Sequence, residues 1–199
     1  METTFSGIHD ALQKIHPLTD EAREDLSALF ETTRLSRNEY LLKEGDRVYN
    51  CYFQLEGVIR VFYNNEGNEY NKTFFIPGMF PTPLTALLTG GPSQLSFQAL
   101  RDCLLVRFSY KSFRALFSQH RCLESLMLAI LEQEWIHKER HDIRMVTNDA
   151  TTNYLIFREQ YPNLENLILQ YHIASYLGIT PIQLSRIRSQ QSKPAAKVN

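Results

Sequence analysis

The sequence predicts an α+β chain: an N-terminal jelly-roll or small-barrel β-domain, one long helix, and a C-terminal helix-turn-helix. Three observations carry this. Residues 32–108 break into short runs rich in β-formers, separated by turn signals. From Leu123 to Trp135 the apolar residues switch to helical spacing, and polar residues continue the helix toward Arg144, beyond ~20 residues in all. Across residues 170–188 two helical patterns meet at a glycine.

Residues 18–30 read as a helix, with Thr19 or Asp20 as cap and Leu26, Leu29 and Phe30 facing inward. Y-L-L-K then runs into the turn Glu44-Gly45-Asp46. N-C-Y-F-Q-L-E-G-V-I-R-V-F-Y alternates, with Gly57 expected at a hairpin corner. Asn64-Asn65-Glu66-Gly67 marks a second hairpin, and E-Y-N-K-T-F-F-I its return strand. After a connection rich in Pro and Gly, residues 95–100 and 104–108 are expected to form a last strand pair.

The long helix follows a short amphipathic one that carries Phe113, Leu116 and Phe117. Its apolar residues occupy more than one face. Leu123, Leu126, Met127 and Ile130 are therefore expected to form the seam of a homodimer. Residues 151–161 form a further helix, stopped by Pro162. The domain division expected is 1–118, 119–147 and 148–199.

In the C-terminal stretch, Ile173, Tyr176 and Leu177 line one helix face, and Gly178 ends it. Thr180 can cap a second helix, with Pro181 at its first position and Gln183 completing a capping box. Leu184 and Ile187 face inward. Thr180, Pro181, Ile182, Gln183, Ser185, Arg186 and Arg188 are the expected DNA-contacting residues. No Asp or Glu follows Glu165, whereas Arg186, Arg188, Lys193 and Lys197 do, on a chain of net charge −1. A basic end on a neutral chain suits a sequence reader better than a general polyanion binder.

The chain has three scattered cysteines, Cys51, Cys103 and Cys122, with no CxxC pair. That pattern fits a reducing cytoplasm. The N-terminus shows no signal-peptide pattern, and no apolar run is long enough to span a membrane.

In this order, E-G-V-I-R-V, F-I-P-G-M-F, S-Y-K-S-F, the long helix and I-A-S-Y-L-G-I-T-P-I-Q-L-S-R-I-R resemble the bacterial Crp/Fnr transcription regulators. The resemblance implies a cyclic-nucleotide-binding-like β-roll, a dimerisation helix and a winged-helix-type DNA-binding domain. It also implies double-stranded DNA with an inverted-repeat operator as partner, RNA polymerase as a further one, and a small-molecule effector. Cyclic-nucleotide binders of the family carry an acid that accepts from the ribose hydroxyl and an arginine that pairs with the cyclic phosphate. The matching positions here are Thr82, Pro83 and Ser93, so cyclic AMP is not expected to bind. An effector would be neutral or apolar, met by Thr82, Pro83, Ser93 and Gln94. Family members often have Glu where Ile182 stands, and Arg186 matches a guanine-reading position.

Enzymatic and metal chemistry are not expected. None of the six histidines falls within the strand region, 32–108. His137 and His141 have the i, i+4 spacing of a zinc pair, but Lys138 stands where H-E-x-x-H needs Glu. No cofactor is expected. The alternative reading is a ligand-binding or protein-interaction module with a vestigial helix-turn-helix.

Overall fold

The computed structural model describes residues 2–191. Lys193, Lys197 and the rest of the tail after Gln191 lie outside the described residues.

Two antiparallel sheets form a sandwich. One sheet orders β1 (Glu31–Leu35), β7 (Cys103–Ser109) and β3 (Asn50–Glu56), with β7 central. The other orders β2 (Tyr40–Leu42), β6 (Ser96–Ala99), β4 (Ile59–Asn65) and β5 (Asn68–Phe75), with β5 outermost. Ile59, Val61, Phe97, Ala99 and Leu105 fill the space between them.

Two expected pairings change. Gly57 is not a hairpin corner: β3 pairs with β7, while β4 pairs with β5 and β6. Gly57 marks the step from one sheet to the other. Its φ is +90°, and a Cβ there would come within 2.3 Å of the Asp102 carbonyl oxygen. Any side chain would collide with backbone at that crossing. Likewise β6 and β7 do not pair, since each belongs to a different sheet. Alternation along a strand reveals which residues share a face, but not which strand lies alongside. The β4–β5 hairpin does form as expected. Glu66 and Gly67 both have positive φ, as a two-residue type I′ turn requires.

Helices cover the outer face of the three-stranded sheet. They are α1 (Glu2–Ile15), α2 (Asp20–Ser27), α4 (Tyr110–Ala115) and the start of α5 (Arg121–Thr147). A further short helix, α3 (Leu84–Thr89), lies in the connection rich in Pro and Gly. Cys51, Phe53, Val106 and Phe108 meet Ile8, Leu12, Leu26 and Phe113 in one core. The Thr19 hydroxyl accepts from the Ala22 N–H and caps α2. Helix α1 was not anticipated, although Phe5, Ile8, Leu12 and Ile15 carry its spacing.

The C-terminal part contains α6 (Ala150–Gln160), α7 (Leu164–Leu167), α8 (Gln170–Tyr176) and α9 (Pro181–Gln191). The residues described up to Gln191 include no strands of the expected wing, and the segment after α9 lies outside the described residues. Among the described residues no strand follows β7. Only residues 161–163 and 168–169 link α6 to α7 and α7 to α8, which is too short for a hairpin.

Candidate nucleic-acid interface and its supports

The corner between α8 and α9 is closed at both ends by its own residues. Gly178 has φ +67°. The Ile179 N–H donates to Ala174 O at 3.0 Å, and the Gly178 N–H to Ser175 O at 3.3 Å, the bond pattern of a Schellman cap. The capping box forms as the spacing predicts. The Gln183 N–H donates to the Thr180 hydroxyl at 3.2 Å, and the Thr180 N–H donates to Gln183 Oε1 at 2.9 Å. Ile173, Ala174, Tyr176, Leu177, Leu184 and Ile187 are buried.

The outer face of α9 presents Ile182, Gln183, Ser185 and Arg186 to solvent, beside Thr180 and Pro181. Two of the expected contact residues have other occupations. The Thr180 hydroxyl is engaged within the cap, where it also donates to Gln183 Oε1. Arg188 is half-buried, with Nε 3.6 Å from Glu165 Oε2. Glu165 also takes Arg158 Nε at 3.0 Å and accepts from the Tyr154 hydroxyl. This carboxylate ties α6, α7 and α9 together, so Arg188 belongs to the support of the helix as well as to its surface.

The opposite side of α8 rests on β5. The Ser175 hydroxyl accepts from the Asn71 N–H at 3.0 Å and donates to Glu69 O at 2.9 Å. Asn71 Nδ2 donates to His172 O at 3.1 Å. Arg60, almost fully buried, reaches Glu69 Oε2 at 2.5 Å, Gln98 Oε1 at 2.6 Å and His172 Nδ1 at 3.3 Å. Burial, and then the Arg60 cation, pull the His172 pKa down to about 4, with Glu69 opposing. Below this polar row, Phe74 packs edge-on against Phe157 and Tyr161 and also meets Tyr176. The candidate DNA-contacting helices are thus mounted on the β-sandwich of their own chain. Nothing in the local sequence pattern announces this joint, because its partners lie about a hundred residues apart.

The expected dimer seam needs correction. Leu126 is only 1% exposed, and Leu123 and Met127 are also buried, all within the core formed with α1, α2 and the three-stranded sheet. Ile130 packs partly against the same core. These four residues hold α5 to its own chain. The face of α5 that is open carries Leu128, Trp135, Ile136, Ile143 and Val146, with Trp135 66% and Val146 84% exposed. At 3.6 residues per turn, Leu128, Trp135, Ile136, Ile143 and Val146 fall within an arc of about 100°, one face of the helix.

Of the four expected effector residues, Thr82 and Ser93 already hold backbone partners. Thr82 Oγ1 accepts from the Tyr52 N–H and donates to Tyr52 O, at 2.9 and 3.2 Å. The Ser93 hydroxyl donates to Leu95 O and accepts from its N–H. Pro83 is buried at the start of α3, and Gln94 is exposed. Residues 77–95 contain no charged side chain.

Among the described residues there is no group of three or more His, Cys, Asp or Glu that could hold a metal, and no helix long and apolar enough to cross a membrane.

Residues 32–120 match the family model of the cyclic nucleotide-binding domain. No curated protein sequence matches the chain. Solved structures do match in fold. FixK2 of Bradyrhizobium japonicum superposes with a TM-score of 0.69 at 19% identity, over 81% of this chain and 83% of that one. The c-di-GMP-responsive global regulator CLP of Xanthomonas campestris gives 0.66 at 15%, over 87% and 91%. The catabolite activator protein of Thermus thermophilus gives 0.57 at 17%, over 92% and 86%. The likeness is one of fold: a cyclic-nucleotide-binding jelly roll followed by helices.

Proposed function

We propose that the chain is a dimeric, sequence-specific DNA-binding transcription regulator of the Crp/Fnr type, working in the cytoplasm. The observation that carries this reading is the doubly capped corner between α8 and α9, with a polar, arginine-bearing outer face on α9. The shared fold with proteins described as regulators supports it. In this reading α9 enters the major groove and α5 pairs with its copy through the stripe from Leu128 to Val146. Two recognition helices then read an inverted repeat with half-sites about one helical turn, roughly 34 Å, apart. RNA polymerase is the further partner such a regulator would meet at a promoter.

Arg186 is the base reader, its two parallel donors suited to guanine O6 and N7. Gln183 and Ser185 hold phosphates, and Thr180 and Arg188 chiefly hold the helix in place. The test starts from a duplex selected by the protein out of a random library. Arg186→Ala is expected to cost about 1–3 kcal/mol on that duplex and to relax preference at one base pair. Equal weakening on every sequence would remove Arg186 from base reading. If no duplex is enriched at all, the interaction-module alternative replaces this reading.

The β-roll keeps the fold of a cyclic-nucleotide-binding domain, but residues 77–95 offer no cation to a phosphate and no acid to a ribose. Desolvating an unpaired phosphate there is unfavourable by several kcal/mol, on the order of a broken buried ion pair. Calorimetry with cyclic AMP is expected to show no micromolar binding, and a saturable micromolar isotherm would refute this. An effector of this domain would be neutral or apolar, near Thr82, Pro83, Ser93 and Gln94.

A further inference from the structure

Ile182 stands at the second position of α9, four residues before Arg186, and is 66% exposed. Its companions on the outer face are Gln183, Ser185 and Arg186, all hydrogen-bonding groups. The apolar face of the helix, Leu184 and Ile187, is buried on the other side. Ile182 is therefore no part of the core, and a branched hydrocarbon offers nothing to a phosphate oxygen. The apolar group that a major groove presents at a base edge is the 5-methyl of thymine.

Resting on the DNA-binding reading above, we infer that Ile182 determines specificity by packing on a thymine methyl in each half-site. The spacing fixes where that thymine lies. Residues i and i+4 share a helix face, and four residues rise about 6 Å, close to two base-pair steps. The methyl read by Ile182 thus lies within about two base pairs of the guanine read by Arg186.

The probe is the selected duplex, remade with each thymine in turn replaced by deoxyuridine, which keeps the base pair and removes only the methyl. For the wild-type protein, one thymine in each half-site, replaced singly, is expected to weaken binding about fourfold, the worth of one buried methyl. The Ile182→Ala protein should bind the thymine and deoxyuridine duplexes alike at that position. Cytosine and 5-methylcytosine placed there form the second arm. The wild type should prefer the methylated base, and Ile182→Ala should not. Because Ile182 is exposed, its replacement should leave the fold intact, which a thermal melt checks. Uniform binding of all deoxyuridine duplexes by the wild type overturns the inference and leaves the DNA-binding reading standing. So does a methyl effect that persists unchanged in Ile182→Ala. Failure to enrich any duplex overturns both.

Discussion

Leu126→Glu is expected to unfold the chain, whereas Trp135→Glu with Val146→Glu is expected to leave it folded but monomeric. All three residues lie on α5 and all are apolar, yet they face different surroundings. Leu126 is enclosed by α1, α2 and the outer face of the three-stranded sheet. A carboxylate there loses the leucine's packing, worth about 2–5 kcal/mol, and adds an unpaired buried charge worth several more. The sum rivals the whole stability of an ordinary domain, about 5–15 kcal/mol. Trp135 and Val146 face outward, so charges there touch only what docks on the stripe. Light scattering and far-ultraviolet circular dichroism on the same samples read both outcomes. A folded Leu126→Glu protein would contradict the packing of α5, and a persistent dimer in the double variant would remove the stripe as the seam.

Phe74→Ala is expected to release the C-terminal helices from the β-sandwich while leaving the sandwich itself formed. Phe74 is fully buried in a core shared with Phe157, Tyr161 and Tyr176 of the helices and with Val58 and Leu100, separate from the inter-sheet core, which β5 joins through Phe75. Removing the ring should cost about 3–5 kcal/mol, nearly all of it at the joint. Hydrogen exchange should accelerate in residues 69–75 and 170–176 and stay unchanged in β1, β3 and β7. Acid acts on the same joint. His172 is neutral when docked, with its pKa down to about 4, against about 6.5 when undocked. Docking strength is complete above pH ~6.5, because neither state then binds a proton there. It falls as the pH drops from ~6.5 to ~4, where only the undocked state takes up the proton, and levels off below that. Exchange uniform across the whole chain in Phe74→Ala would mean that sandwich and helices unfold as one unit.

The parts of this fold that depend on neighbouring residues could be read from the sequence. The α8–α9 corner is one: Gly178, Thr180 and Gln183 lie within six residues and form the bonds that their spacing implies. The β4–β5 turn and the extent of α5 are others. What depended on distant residues was not legible. The apolar positions of α5 fill two faces, and periodicity alone cannot say which face the chain keeps for itself; the unread helix α1 settles it. Arg188 looks like a free surface cation until Glu165 is brought beside it by α7. Thr82 and Ser93 look available until the backbone of Tyr52 and Leu95 takes their hydroxyls. The sheet assignments of Gly57 and β6 failed for the same reason, since strand neighbours are a long-range property.

The Ser175 hydroxyl sits between the Asn71 N–H and the Glu69 carbonyl, where another strand would otherwise bond. It stands in for a strand at the open margin of the four-stranded sheet. Chains whose helices swing away from β5 expose a bare β-edge carrying Tyr70 and the unbonded groups of Glu69 and Asn71. Such an edge is a template for edge-to-edge association with other copies. The joint therefore governs solubility as well as domain geometry, and turbidity in concentrated samples should rise in parallel with undocking.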